Sequence, residues 1–219
     1  MKPNESIIFE AQACEGGAEI LWMTEGWPRG WIVIPERIVV VDKESGKKAE
    51  LPVVKIGEHV FEECYEVKRI TVPESVEEIG EWAFCHCRAL KELVIPKQVK
   101  KIAASAFTDC ASLKRIVVDE ENERYRAIDG VLFSKDGETL VAYPKGKGAK
   151  YRVPEGTKRI GADAFCFTGL RSILLPDGLE EIGVGAFFAC PLKKVLLPAS
   201  VTRLGNIPFM FETVVIRAK

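Results

Sequence analysis

Residues 90–110 read LKELVIPKQVKKIAASAFTDC, and this stretch decides the fold. Leu90, Leu93 and Ile95 are apolar, with Val94 between the last two. That is a short strand with Leu93 and Ile95 on one face. Pro96 ends it, since proline cannot donate to a ladder shared with neighbours on both sides. Val99 and Ile102 form a second apolar pair on another side of the unit. The segment ending in Ala106-Phe107 and Cys110 is too short for a stable helix, so one helical or 3-10 turn is expected. Its alanine admits a close neighbour and its phenylalanine fills the unit.

The pattern returns along the chain. Phe61, Phe84, Phe107, Phe165, Phe187 and Phe209 each follow an Ile-Gly-type pair by the same interval, with spacings of 23, 23, 58, 22 and 22 residues. One such coil has no face it can bury alone, so the units must stack. Stacking predicts a phenylalanine spine and a row of Cys64, Cys87, Cys110, Thr168 and Cys190. It also places Glu77-Glu78, Lys100-Lys101, Lys158-Arg159, Glu180-Glu181 and Arg203 on one solvated face, mostly with alternating sign. The fold class expected is a β-rich solenoid with short helical or 3-10 turns and one protruding β-hairpin. The hairpin comes from the 58-residue gap. There Val131-Leu132-Phe133 and Leu140-Val141-Ala142-Tyr143 flank the turn signal Ser134-Lys135-Asp136-Gly137. Asp119 stands where proline would be, and the Asp119-Glu120-Glu121 run is expected to face the lysine row.

The organisation read is one domain over 1–219. Residues 1–50 cap it, 51–118 and 151–219 are regular repeats, and 119–150 are irregular. Ile7–Phe9, Ile20–Trp22 and Trp31–Ile34 read as strands. Trp22, Trp27 and Trp31 are expected to cover the open core, with an aromatic ligand platform as the alternative.

Units 67–87, VKRITVPESVEEIGEWAFCHC, and 170–190, LRSILLPDGLEEIGVGAFFAC, closely resemble the BspA-type, or Treponema pallidum-type, leucine-rich repeat. The insert with Tyr125, Asp129-Gly130, Asp136-Gly137 and Tyr143-Pro144 is similar to that family's irregular unit. The resemblance covers about residues 31–216. It implies a right-handed curved leucine-rich repeat stack, a protein-binding or adhesion role at bacterial surfaces, and no catalytic residues.

Composition narrows the rest. An apolar fraction of 47% with 29% charged residues excludes a wholly disordered chain. Lys+Arg of 31 against Asp+Glu of 32 removes the bulk basic signature of a nucleic-acid binder, and the run Lys145, Lys147, Lys150, Arg152 reads as a solvated loop. The N-terminus MKPNESIIFEAQ has no apolar run of signal length, and no stretch of 18 apolar residues occurs. The chain as written is therefore expected in the cytoplasm, with the cell surface or secretion as the alternative if a signal was removed. Seven cysteines, an odd number, favour reduced thiols, with Cys85 and Cys166 the reactive candidates. Cys85-His86-Cys87 is the sharpest metal candidate, but one intervening residue is too few for a zinc pair, and Cys87 belongs to the buried row. No catalytic, cofactor or metal residues are expected. His59 and His86 read as surface turn residues.

The candidate partner-binding residues follow from strand alternation. Between the two core positions of each first strand, one residue must point outward. These are Thr71, Val94, Val117, Arg152, Leu174 and Leu196, with Val215 at the end. Five of the seven are apolar, forming a stripe where a protein partner would dock, or a second copy in the alternative of self-association. The function expected is a non-enzymatic interaction or adhesion module.

Overall fold

The structure is a computed structural model describing residues 7–23 and 28–218. It is a β-solenoid of two parallel ladders. The short strands Glu78–Ile79 and Lys101–Ile102 continue in register from Lys48–Ile56. Starting from the last strand of the irregular unit's hairpin, Thr139–Ala142, Arg159–Ile160, Glu181–Ile182 and Arg203–Leu204 form the second half of this ladder. The longer strands pair along the other side: Arg29–Val33 with Glu66–Thr71, Glu92–Ile95 with Arg115–Val118, Lys150–Arg152 with Ser172–Leu174, and Lys194–Leu197 with Val214–Arg217. Each strand-ending proline opens a turn in which its carbonyl accepts from the residue three on, as Pro96 does from Val99 at 3.3 Å. Asp119 plays that part for Asn122 at 3.0 Å, as its position implied.

The stacked rings run Phe61–Phe84–Phe107 at 5.4 and 6.0 Å, nearly parallel. They resume as Tyr143–Phe165–Phe187–Phe209 at 5.0, 4.9 and 5.1 Å. Tyr143 is a rung not recognised in the sequence. Its N–H donates to the Ala164 carbonyl just as the Phe165 N–H donates to Ala186. The charge ladder also reaches further than the doublets showed. Glu19 and Lys55 pair at 3.0 Å at its start, and Glu138 meets Lys158 at 2.6 Å. Glu121 pairs with Lys97 at 3.4 Å rather than with the Lys100-Lys101 row.

The cysteines are thiols, five of them buried and Cys14 and Cys166 half-buried. Row members bond inward, Cys87 Sγ to the Phe61 carbonyl at 3.2 Å and Cys110 Sγ to that of Phe84 at 3.1 Å. Cys85, expected to be reactive, is buried as well. Burial pushes the Cys85 thiol up to about 11 and those of Cys110 and Cys166 up to about 12. A thiol reagent is therefore expected to modify Cys14 and Cys166 first, and the remaining five only after denaturation. Fast reaction of all seven in the native protein would contradict this packing.

Where one helical or 3-10 turn per coil was expected, the chain makes successive reverse turns. The Ala83 N–H donates to Gly80, and the Cys87 N–H to Phe84. The third residue of each turn is left-handed, Trp82 at φ 51° and His86 at φ 58°, the geometry of a type II turn. Such residues cannot continue a helix. Glu63, Asp109, Phe167 and Ala189 repeat the His86 conformation in other coils. An L-residue there costs about 1–2 kcal/mol, and glycine's extra backbone freedom offsets part of the relief. Ala189→Gly is thus expected to stabilise the protein by about 0.5–1 kcal/mol in chemical denaturation. A destabilised variant would show that the turn carries no strain.

The hairpin of the irregular unit forms, with Gly137 at φ 79° closing its turn. It is built into the stack and does not protrude. Val131, Leu132, Phe133 and Leu140 are all fully buried. Strand alternation explains this: Leu132 packs into the core of the N-terminal coils, while Val131 and Phe133 face that of the C-terminal coils. At the N-terminal end, the cap is the antiparallel hairpin Phe9–Cys14 with Gly17–Met23. Phe9 sets its ring edge-on to Phe61 at 6.1 Å. Of the expected tryptophan cover, Trp22 is 62% exposed and Trp31 lies on the long-strand face, so neither closes the core, and Trp27 falls outside the described residues.

Candidate interaction surface

The outer face of the long strands carries two rows. Alternation within Glu92–Ile95 buries Leu93 and Ile95 and turns Val94 out, 47% exposed. Leu174 and Leu196 stand at the same place, 52% and 57% exposed, and Arg152 is exposed beside Leu174. Thr71 and Val117 are half-buried. The register adds Val33, opposite Thr71 and exposed, which the sequence reading assigned to the cap region. Val215 is out of register. It faces the core position Val195, and Ile216 faces Leu196, because the last connection is shorter than those before it. Two residues back along each strand runs the second row, Trp31, Arg69, Glu92, Arg115, Lys150, Ser172 and Lys194. Arg69 lies 4.6 Å over the Trp31 ring, and the Trp31 indole donates to Thr71 Oγ1 at 2.9 Å. The face therefore pairs an apolar row with a mostly cationic one.

The apolar row is divided rather than continuous. The Ile116 N–H donates to the Gly130 carbonyl at 2.8 Å, so the irregular unit occupies the edge where a next long strand would pair. A Cβ on Gly130 would lie 2.7 Å from that of Arg115, which is why glycine fits this approach. Val33, Thr71, Val94 and Val117 form one segment, and Arg152, Leu174, Leu196 and Ile216 the other.

The basic run is not a solvated loop throughout. Lys145 ion-pairs with Asp109, and Lys147 reaches Asp129 at 2.9 Å. Burial alone would raise the Asp109 carboxyl. Hydrogen bonds and charge from Lys145 and His86 outweigh it and hold the group below the ordinary carboxylate range. Lys150 and Arg152 remain exposed, on the sheet face. Of the Cys85-His86-Cys87 string, Cys87 points into the core as expected, while His86 Nδ1 sits 2.7 Å from Asp109 Oδ2. Among the described residues no helix is long and apolar enough to cross a membrane.

Among solved structures, the chain is similar to a leucine-rich repeat protein from Eubacterium ventriosum, at 22% identity and TM-score 0.52, covering 86% of this chain and 65% of that one. It spans just under two thirds of that relative. It is also similar to the pneumococcal vaccine antigen PcpA, at 21% identity and TM-score 0.50, over 95% of this chain and 78% of the other. The Treponema pallidum leucine-rich repeat protein shares 24% identity at TM-score 0.49, over 99% and 86%. No curated protein matches the sequence. At these identities the first two structures speak to the fold alone. The sequence profile of the BspA type leucine rich repeat region matches six copies over residues 43–136 and 143–216, more than half of the chain. With that match and the coil geometry together, the chain belongs to the BspA-type leucine-rich repeat family.

Proposed function

We propose that the chain is a non-enzymatic module that binds a protein partner, in an adhesion or recognition role, through the outer face of its long-strand sheet. One observation carries this reading: exposed Val33, Val94, Leu174 and Leu196 run beside the cationic row of Arg69, Arg115, Lys150 and Lys194. Apolar side chains grouped on a sheet face, here in two segments, mark contact surfaces, and Trp31 with Arg69 adds the residue types that anchor interfaces. The charge row suits a partner with acidic groups around an apolar centre. Leu174→Glu with Leu196→Glu is expected to abolish partner capture from a host-cell extract and leave the circular dichroism melt almost unchanged. Capture by the double variant at wild-type level would remove the sheet face from the reading.

A second reading rests on the C-terminal end. Leu204, Ile207, Val214 and Ile216 are exposed there, and Phe211 is 96% exposed. This end favours self-association. Light scattering that gives a dimer for the wild type and a monomer for Phe211→Glu would support it over partner capture through the sheet.

A further inference from the structure

We propose that Glu62, Cys85 and His86 form a binding site for a divalent transition-metal ion, with zinc the ion best matched to the donors. The site lies on the turns of two adjacent coils, away from the long-strand face. Glu62 follows Phe61, and Cys85 follows Phe84, so they are equivalent positions in neighbouring coils. The Glu63 N–H donates to the Cys85 carbonyl at 2.9 Å, which holds the two turns together. His86 follows directly and is left-handed, at φ 58°. One carboxylate oxygen, one thiol sulfur and one ring nitrogen from these residues lie within 4.8 Å of one another. Zinc bond lengths of roughly 2.0–2.3 Å put tetrahedral ligands about 3.3–3.7 Å apart. The Glu62 side chain, 34% exposed and held through one oxygen to His59, is the ligand that would shift to close that gap.

The surroundings orient these donors as metal ligands are oriented. Asp109 accepts from His86 and is also paired with Lys145 and, at 3.4 Å, with Arg88. A carboxylate fixed by two cations is an acceptor. That contact takes up His86 Nδ1, so Nε2 is the nitrogen that would meet an ion, giving up to solvent any proton it carries. The Glu62 Oε2 atom faces His59 Nδ1 at 2.6 Å, which leaves Oε1 for an ion. Thiolate, imidazole and carboxylate together select a borderline-soft ion over magnesium or calcium. The His86 and Glu62 side chains are 32% and 34% exposed, so this side of the cluster is open to solvent. On binding, the Cys85 thiol proton passes to solvent and the thiolate takes its place on the metal. The pair spacing of Cys85 and Cys87 concealed this site, because the third donor comes from the neighbouring coil.

The test is a cobalt(II) titration of the full chain in a thiol-free reductant, followed by displacement with zinc. The wild type is expected to show a sulfur-to-cobalt charge-transfer band with tetrahedral visible bands, lost on adding zinc. His86→Gln and Glu62→Gln should each weaken cobalt binding at least about tenfold. Cys85→Ser should abolish the charge-transfer band, and Cys166→Ser should leave it unchanged. Zinc should raise the melting temperature of the wild type and not that of His86→Gln. No charge-transfer band in the wild type, or one of equal affinity in His86→Gln, overturns the site. If Cys85→Ser fails to fold, the two variants at the partly exposed ligands decide the matter.

Discussion

Phe84→Ala is expected to lower the unfolding free energy by about 3–5 kcal/mol, the usual loss for a buried aromatic cut to alanine. Phe84 is fully buried between Phe61 and Phe107, with ring centroids 5.4 and 6.0 Å away. Removing it leaves a cavity bounded by two coils whose backbones are tied to each other, so the walls cannot collapse inward. Phe209→Ala is the comparison. That ring stacks on Phe187 at 5.1 Å but is half-buried in the last coil, so its loss should be clearly smaller. Equal losses in urea or guanidinium denaturation would argue against the stack as the main source of stability.

Asn122→Ala is expected to cost about 3 kcal/mol, although no ring and little volume is lost. Asn122 is fully buried. Its amide donates to the carbonyls of Pro96 at 2.8 Å and Val99 at 3.0 Å, and its oxygen accepts from the N–H groups of Arg124 and Tyr125 at 2.9 and 2.7 Å. It stands where the neighbouring coil has Val99, and it joins that coil to the start of the irregular unit. Truncation strands buried donors and acceptors, each costing about 1–3 kcal/mol. A loss below 1 kcal/mol in the same denaturation assay would mean that water replaces the amide at no expense.

The regular coils were legible because each has the same problem and solves it with the same letters. A phenylalanine every 22 or 23 residues, an outward residue between two buried ones, and charges that alternate from coil to coil all leave a periodic trace. What escaped is what occurs once. Asn122 looks like any polar loop residue until its partners are known. Tyr143 fills a phenylalanine place without the Ala-Phe signature. Val33 and Trp31 belong to the sheet face but lie in a stretch with no repeat to align. The turns misled for another reason. Left-handed Trp82, Phe167 and Ala189 are residue types that rarely adopt positive φ, so nothing in their identity signalled the geometry. Val94, Leu174 and Leu196 point outward as strand alternation requires, whereas the interruption of their row depended on Gly130 reaching Arg115, a contact across 15 residues.

The Val131–Ser134 strand, with opposite faces in two cores, also bears on how the molecule comes apart. Coils of a solenoid hold only their neighbours, so loss of order travels coil by coil. At one end a closed hairpin seats Phe9 on the first ring, while at the other Phe211 and the last strand lie open. Peeling that begins at this last strand strips the second core coil by coil. It advances until it meets the strand that both halves share, where Leu132 still anchors in the first core after Val131 and Phe133 have lost the second. That strand acts as a ratchet stop, and a chain stripped of its last coils keeps a seated edge on which they can rewind.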